Sequence, residues 1–516
     1  MSAFDDRAPL LPRILALHGR QRASKTALVA DGVRLTWGEL TARMNHLAHA
    51  LRSLGLDEGD RVGIVMSNGA PMAEALIGCI AAGLTSVPIN LSVSDAALEN
   101  MLKDAGARAV IATGDQIARL QPLVGRLDGI RWIAADADLP ADWMDFTSLF
   151  DTGPCPNTLP IVNPATPMNI IYSSGTTGLP KGIVHTQAGR LGWARDLAIT
   201  LRYDSAARTL FTIGLYSNIS WVGFLGTLLC GGTLYIENGF DARRVLQRIE
   251  DDHISHFSMV PIQYQRLLDV PDETDFDLSS LKAVMSCGSP LHADLKRRLF
   301  TRLGPKVIEL YGLTEGLITT LDPEDAEGRW ASVGLPLFGT ELKLIDDEGI
   351  EVPTGTAGEI VGRGRIVMPG YWNRPEATAD ATWTDGHGDK WLRTGDIGRF
   401  DEDGYLYIVD RKKDMILSGG QNIYPQDIEA VLMEHPAVSE VAVIGVPSER
   451  WGETPLAVIV RKVEAEASAM LDWANARLGR QQRLTAVDFI DELPRNPNGK
   501  ILKRELRERY KDRHYG

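Results

Sequence analysis

Helical segments with one apolar stripe alternate with short, continuously apolar runs up to about residue 310, and this alternation constrains the fold most. "LTWGELTARMNHLAHALRSLGL" opens on a capping box of Thr36 and Glu39, and Leu40, Met44, Leu47 and Leu51 then recur at helical spacing. Gly55 ends the pattern, and "RVGIVM" (Arg61–Met66) follows as a short buried strand. "AALENMLKDAGARAVIAT" repeats the unit. A chain built this way forms parallel sheets covered by helices. With 516 residues it exceeds what one core holds, so two or more domains are expected.

The texture changes from about Leu335. "GTELKLIDDEGIEVPTGTAGEIVGRG" alternates apolar and polar residues between turn signals, as antiparallel strands do. "DEDGYLYIVDRKKD" (Asp401–Asp414) reads as a hairpin turn, a strand and a charged break. Beyond it lie a helix near "PQDIEAVLMEH", the strands "VAVIGV" and "LAVIV", a further helix and the strand "AVDFI". The expected organisation is α/β: a large N-terminal domain of parallel-type sheets with a β-rich subdomain, residues 1–411. A small α+β C-terminal domain, residues 412–516, follows a boundary near Asp410–Lys413. The last segment, from Lys503, reads as a charged, solvated helix.

The net charge of -14 argues against a nucleic-acid surface, because phosphate backbones select basic faces. Cys79, Cys155, Cys230 and Cys287 are scattered without metal-like spacing and read as reduced thiols of a cytoplasmic protein. The first residues lack a basic stretch followed by an apolar core, so no signal peptide is expected. The uncharged run Thr209–Ile236 is long enough to span a bilayer. Its Ser217, Asn218, Ser220 and Gly231–Gly232 favour a core helix, a turn and a strand.

"MNIIY" (Met168–Tyr172) reads as a buried strand, and "SSGTTGLPKG" follows it. Glycines let backbone N–H groups approach an anion, short hydroxyls add donors, and Lys181 adds charge. This is the chemistry of a polyphosphate cradle, although the Gly-Lys-Ser/Thr of the Walker loop is absent. A plain surface loop is the alternative that composition alone leaves open.

The whole string "YSSGTTGLPKG" (Tyr172–Gly182) resembles the signature of the adenylate-forming superfamily, of acyl- and aryl-CoA synthetase type. "YGLTEG" (Tyr311–Gly316), "WLRTGDIG" (Trp391–Gly398), "DRKKDMILSGGQNIYPQDIE" (Asp410–Glu429) and "PRNPNGKILKREL" (Pro494–Leu506) resemble its further motifs, in order along essentially the whole chain. The resemblance implies ATP, Mg²⁺ and CoA as cofactors and a two-step reaction. A carboxylic acid first becomes an acyl adenylate with loss of pyrophosphate, and the acyl group then passes to a thiol.

Site residues are implied in the same way. Ser173, Ser174, Gly175, Thr176, Thr177, Gly178 and Lys181 hold phosphates. Gly288, Ser289 and Pro290 of "SCGSP", with Glu309, Leu310, Tyr311 and Gly312, border the nucleotide, and Tyr311 packs on adenine. Thr314 contacts phosphate and Glu315 binds Mg²⁺. Asp396 accepts the ribose hydroxyls, and Arg411 contacts ribose or phosphate. Lys500 carries the catalytic charge and arrives with a mobile C-terminal domain, whose hinge is Lys413. Ser418, Gly419, Gly420 and Trp451 border a pantetheine passage.

Two departures stand out. "GRQQRLTAVDFI" places Gln481, Gln482 and Leu484 where related CoA ligases often carry an aromatic residue, a lysine and a proline. Arg480 and Arg483 remain as contacts for CoA phosphates. Ser217 falls where many relatives have histidine, and Tyr216, Ser217 and Trp221, with Gly288 and Gly312, are expected to line the acyl pocket. No unpaired basic residue stands in that run, so an aromatic or medium-chain apolar monocarboxylate is expected. The expected partners are this acid, ATP and CoA, without nucleic acid or membrane, and a homodimer is compatible with the chain. The alternative is a stand-alone adenylating enzyme that loads a carrier protein; the sixteen residues after Lys500 are too few for a carrier domain, so none is expected within this sequence. A luciferase-like oxidase would carry the same motifs. A catalytically dead binding protein is disfavoured by the intact Lys181, Glu315, Asp396 and Lys500.

Overall fold

The computed structural model describes residues 9–135, 138–151, 156, 158–173, 180–271, 276–418, 421–448, 450–480, 482–495, 501–511 and 513. The chain divides into two compact units. The first comprises Met1–Trp330 with Pro336–Glu341 and Arg363–Thr382, and the second Ala331–Leu335, Leu342–Gly362 and Trp383–Gly516.

The first unit is the predicted alternation of helices and parallel strands. Helix Trp37–Ser53 starts at the expected capping box, where the Thr36 side chain accepts from the Glu39 N–H and the Glu39 carboxylate accepts from the Thr36 N–H. Its Leu40, Met44, Leu47 and Leu51 are buried. Strand Arg61–Val65 follows and pairs in parallel with Thr85–Pro88 and Ala107–Thr113. Helix Ala70–Ala82 is apolar around nearly its whole circumference and is buried on all sides, as such a helix must be. A second sheet places the strands Val307–Gly312, Ala283–Ser286, His256–Met259, Arg208–Phe211 and Thr233–Ile236 side by side and parallel.

The run Thr209–Ile236 resolves into strand Arg208–Phe211, buried helix Asn218–Cys230 and strand Thr233–Ile236. Among the described residues no helix is long and apolar enough to cross a membrane. Buried Cys287 has its thiol pushed up to about 12 by desolvation, which suits packing rather than nucleophilic attack. Cys155 lies outside the described residues.

The second unit holds two five-stranded sheets. One is built around strand Lys390–Phe400, which pairs antiparallel with Gly358–Gly364 and Leu406–Arg411. The other is built around Gly452–Arg461, antiparallel to Val438–Ser448 and parallel to Ala486–Phe489. The expected 411/412 boundary falls inside this unit, because the β-rich strands before it cluster with the residues after it.

The terminal helix Lys503–Tyr510 differs from its expectation as a solvated element. Leu506 and Tyr510, one turn apart, are buried against Val446, Leu456 and Leu493. Lys503 is held by Glu429 at 2.7 Å, and Arg507 pairs with Asp414. Two of the charges that made the helix read as solvated are thus used in ion pairs, while Arg504, Glu505, Glu508 and Arg509 are exposed.

Candidate active site

Strand Pro167–Ser173 and strand Lys181–Thr186 form an antiparallel hairpin in which Ser173 stands opposite Lys181. Ser174, Gly175, Thr176, Thr177 and Gly178 lie outside the described residues, as does the Ser173 side chain. The hairpin brings Lys181 to the neck of the glycine-rich segment. Its ammonium lies 5.0 Å from the centre of the Tyr371 ring. The Tyr371 hydroxyl donates to Glu315 Oε1 at 2.9 Å. Burial, followed by the Glu315 charge, raises the Tyr371 phenol, so the hydroxyl keeps its proton.

Backbone contacts fix this arrangement. Trp372 N–H donates to the Gly182 carbonyl at 2.7 Å, and Met368 N–H donates to the Glu315 carbonyl at 2.7 Å. Gly316 has φ +117°, and a Cβ there would lie 2.1 Å from the Ile366 carbonyl oxygen. Only glycine lets the Thr314–Glu315 turn sit against the Ile366 turn that follows strand Gly358–Gly364. The tyrosine bond uses Glu315 Oε1, and no bond to Oε2 is found among the described residues. No group of three or more acidic, cysteine or histidine side chains suited to a metal occurs among the described residues. One carboxylate with an open oxygen fits Mg²⁺ brought in with phosphates, rather than a caged ion.

The parallel strands end side by side, where ligands of open α/β sheets bind. Ser286 pairs with Glu309 across neighbouring strands, so "SCGSP" and "ELYG" emerge together. The Gly288 backbone lies against helix Asn218–Cys230: a Cβ on it would meet Ile219 Cδ1 at 2.9 Å. Ser289 is half-buried, while Gly288, Pro290 and Gly312 are exposed. Glu309 is buried in an ion pair with Lys296, and Leu310 is also buried, so both would meet a nucleotide through backbone only.

In the acyl run Tyr216 is half-buried. Ser217 caps helix Asn218–Cys230, and its side chain accepts from Ile219 N–H. Trp221 is fully buried and donates to the Leu215 carbonyl, so it supports the run from within the core.

Two basic or ionisable residues near these motifs escaped the sequence reading. His185 is buried and is hydrogen-bonded to the Thr314 backbone, and burial with the nearby Arg190 charge holds its pKa well below the usual value. Arg190, on helix Gln187–Thr200, is buried with its pKa lowered to about 9 by burial. Tyr371, in "PGYWNRP", was also missed, although its proline- and glycine-bounded string marks a tight turn.

In the second unit Asp396 and Arg411 are cross-strand partners, with Arg411 Nε 3.3 Å from Asp396 Oδ1. Lys412 is tied to Asp347 at 2.7 Å and to buried Glu359 at 3.3 Å, whereas the neighbouring Lys413 is exposed. Ser418 pairs with Gly452, beside half-exposed Trp451, whose ring carries the Arg450 guanidinium at 4.7 Å. Gly419, Gly420, Gln481 and Lys500 lie outside the described residues. Arg480 and Arg483 are exposed, and Gln482 donates to Asp427 at 3.1 Å.

Residues 15–372 match the model of the AMP-binding enzyme family, and residues 427–500 match that of the AMP-binding enzyme C-terminal domain. A feruloyl-CoA synthase of Amycolatopsis sp is 36% identical over 499 residues, 95% of this chain and 97% of that protein. A long-chain-fatty-acid–CoA ligase of Mycobacterium tuberculosis is 35% identical, covering 93% of both. The ATP-bound crystal structure of MatB from Rhodopseudomonas palustris superimposes with a TM-score of 0.87 at 28% identity, over 97% of this chain and 99% of that one.

Proposed function

The chain belongs to the adenylate-forming AMP-binding enzymes, and from that premise we propose that it activates an aromatic or medium-chain apolar monocarboxylate and transfers it to CoA. It is an AMP-forming acyl-CoA synthetase and uses ATP, Mg²⁺ and CoA. The acid is the open part. One curated relative is named for a phenolic acid and another for long-chain fatty acids, which supports an apolar or aromatic tail.

The observation that carries the assignment of roles is the Lys181–Tyr371–Glu315 contact. It gathers an ammonium over the ring and a carboxylate at the hydroxyl of one tyrosine beside the glycine-rich hairpin. In the first step a carboxylate oxygen attacks the α-phosphorus, the bond to the bridging oxygen breaks, and pyrophosphate leaves. Lys181 stabilises the leaving phosphates, and Thr314 donates to them. Glu315 would hold Mg²⁺, which supplies further charge neutralisation there. Asp396, fixed by Arg411, accepts the ribose hydroxyls, and Tyr311 covers the adenine. Lys500 neutralises charge between the two reacting anions, where a preorganised cation does most.

In the second step the CoA sulfur attacks the acyl carbon and AMP leaves with the electron pair. Ser418, Gly419, Gly420 and Trp451 border the thiol's passage, while Arg480 and Arg483 meet CoA phosphates. Exposed arginine–phosphate contacts contribute binding rather than chemistry. Arg480→Ala with Arg483→Ala therefore raises the KM for CoA and leaves that for the acid unchanged. The test of the whole reading is a panel of carboxylic acids with ATP, Mg²⁺ and CoA, with pyrophosphate and thioester followed separately. Pyrophosphate without CoA thioester, but with acylation of a carrier protein, would replace CoA as the acceptor.

A further inference from the structure

Asp104 stands where helix building alone would not place it. It is the last residue but one of helix Asp95–Ala105, and a carboxylate in the last turn opposes the helix dipole. Two carbonyls of that helix end are already met by Arg61, whose Nε donates to the Ala105 carbonyl and Nη2 to the Gly106 carbonyl, each at 2.9 Å. The Asp104 carboxylate is therefore not needed to finish its own helix. A residue that breaks a local rule in this way is explained by what it touches elsewhere.

Asp104 touches the two segments that frame the glycine-rich loop. Its Oδ2 accepts from the Tyr172 hydroxyl at 2.7 Å, and its Oδ1 accepts from Arg374 Nη2 at 2.5 Å. Its backbone carbonyl accepts from the Trp372 indole N–H at 3.1 Å. Tyr172 lies on the strand that enters the loop, and directly opposite it stands Gly182, on the strand that leaves. A Cβ on Gly182 would lie 3.2 Å from Trp372 Cβ and 3.3 Å from Tyr172 Cζ, so both side chains close over that glycine. The segment around Tyr371 extends the same hairpin: Tyr371 bridges Ile183, and Val184 N–H donates to the Gly370 carbonyl at 3.3 Å. Asn373 turns the chain with φ +51°, a value asparagine tolerates better than most residues, so Trp372 and Arg374 on either side of it reach one aspartate.

One residue thus fixes the neck of the loop from both sides, through Tyr172 on the entering strand and through the Trp372–Arg374 turn against the leaving one. Hydrogen bonds to a charged acceptor are the stronger kind, and here both carboxylate oxygens are used. The same turn carries Tyr371, which meets Lys181 and Glu315. We propose that Asp104 is a positioning residue for the triphosphate site: it sets the separation of the loop's two strand ends and the place of Tyr371, and it acts on ATP only through them. The inference rests on the acid–CoA ligase reading and adds to it a residue that lies outside the five motifs. It is also selective. The loop serves the β- and γ-phosphates, which AMP and the acyl adenylate lack, so losing Asp104 should weaken what depends on those phosphates and spare what does not.

The test compares ATP with AMP on the full-length protein. In Asp104→Ala the Kd for ATP with Mg²⁺, from titration calorimetry without acid or CoA, should rise about tenfold or more, while the Kd for AMP stays within about twofold. Pyrophosphate release should fall about 10–100-fold in kcat/KM for ATP, the range for a small misplacement caused far from the chemistry. Thioester formation from a supplied acyl adenylate should be nearly unchanged. Asp104→Asn keeps an acceptor oxygen without the charge and should lie between wild type and Asp104→Ala. Equal loss of ATP and AMP affinity, or of both half-reactions, would show that Asp104 supports the domain as a whole and overturns the proposal; so does an unchanged ATP affinity. Should Asp104→Ala not fold, Tyr172→Phe decides, since it keeps the ring on Gly182 and lacks only the hydroxyl. It should weaken ATP about threefold or more and leave AMP unchanged, and equal effects on the two overturn the proposal. Absence of pyrophosphate from the wild type with every acid of the panel overturns the ligase reading, and the comparison of ATP with AMP then still decides on Asp104.

Discussion

At the scale of single residues, the side chains that matter most are held by contacts with little freedom to relax. Gly316 is the sharpest case. Its φ of +117° is strained for any side chain, and a Cβ would lie 2.1 Å from the Ile366 carbonyl oxygen. Gly316→Ala must therefore push the Thr314–Glu315 turn away from the Ile366 turn, which leads on to Tyr371. The expected result is a loss of about 1–3 kcal/mol in unfolding free energy. Adenylate formation should fall by more than that loss of stability explains. Urea unfolding and pyrophosphate release on the same preparation check both; normal activity at reduced stability would show that the turn need not sit where it does. The motif letters identified Glu315 and Lys181. They did not identify Tyr371, which lies 56 residues from Glu315 and touches both.

At the scale of elements, the paired strands Lys390–Phe400 and Leu406–Arg411 carry both a nucleotide-contact candidate and a buried acid. Asp410 accepts from the Arg411 N–H at 2.6 Å and from the Gln426 N–H at 3.2 Å. Those bonds and the Lys503 charge favour the carboxylate, but burial outweighs them and raises its pKa to about 6. An unfolded aspartate titrates near ~4. Between about pH 4 and 6 the folded chain thus keeps a proton that the unfolded chain releases. Stability from this group falls as pH rises through that window and is flat above it. Asp410→Asn removes the slope, which urea midpoints at several pH values would measure. Equal pH dependence in the variant and the wild type would place the titration elsewhere. The terminal helix carries the same lesson for sequence reading: its charge pattern was legible, and its burial through Leu506 and Tyr510 was not.

At the scale of the whole molecule, the two half-reactions provide the test of the proposed domain alternation. Lys500→Ala should lower adenylate formation by about 10²–10³-fold, the range for losing one preorganised electrostatic contact. Thioester formation from a supplied acyl adenylate should be nearly unchanged. Lys413→Pro fixes φ and removes an N–H donor at the proposed hinge. It should keep adenylation and abolish transfer to CoA. Separate assays of pyrophosphate and thioester distinguish these outcomes. Equal loss of both steps in Lys500→Ala, or an unchanged overall rate in Lys413→Pro, would rule out alternation about this hinge.

Local physics wrote much of this protein into its sequence. The capping box at Thr36, the helical spacing after it, the apolar strands and the turn-bounded β-rich region each depend on residues a few positions apart, so order along the chain was enough to read them. The five motifs were legible through their resemblance to those of a known family, which compares residue types in order along the chain. Contacts between distant residues were not legible. Burial of Arg190 between Trp193 and Trp221, its bonds to Asn169 and Asn218, and the meeting of Lys181, Tyr371 and Glu315 arise only when separate strands and helices pack. Whether a charge is solvated, paired or enclosed depends on what covers it. That covering comes from elements far away in the chain, so the tertiary structure alone decides it.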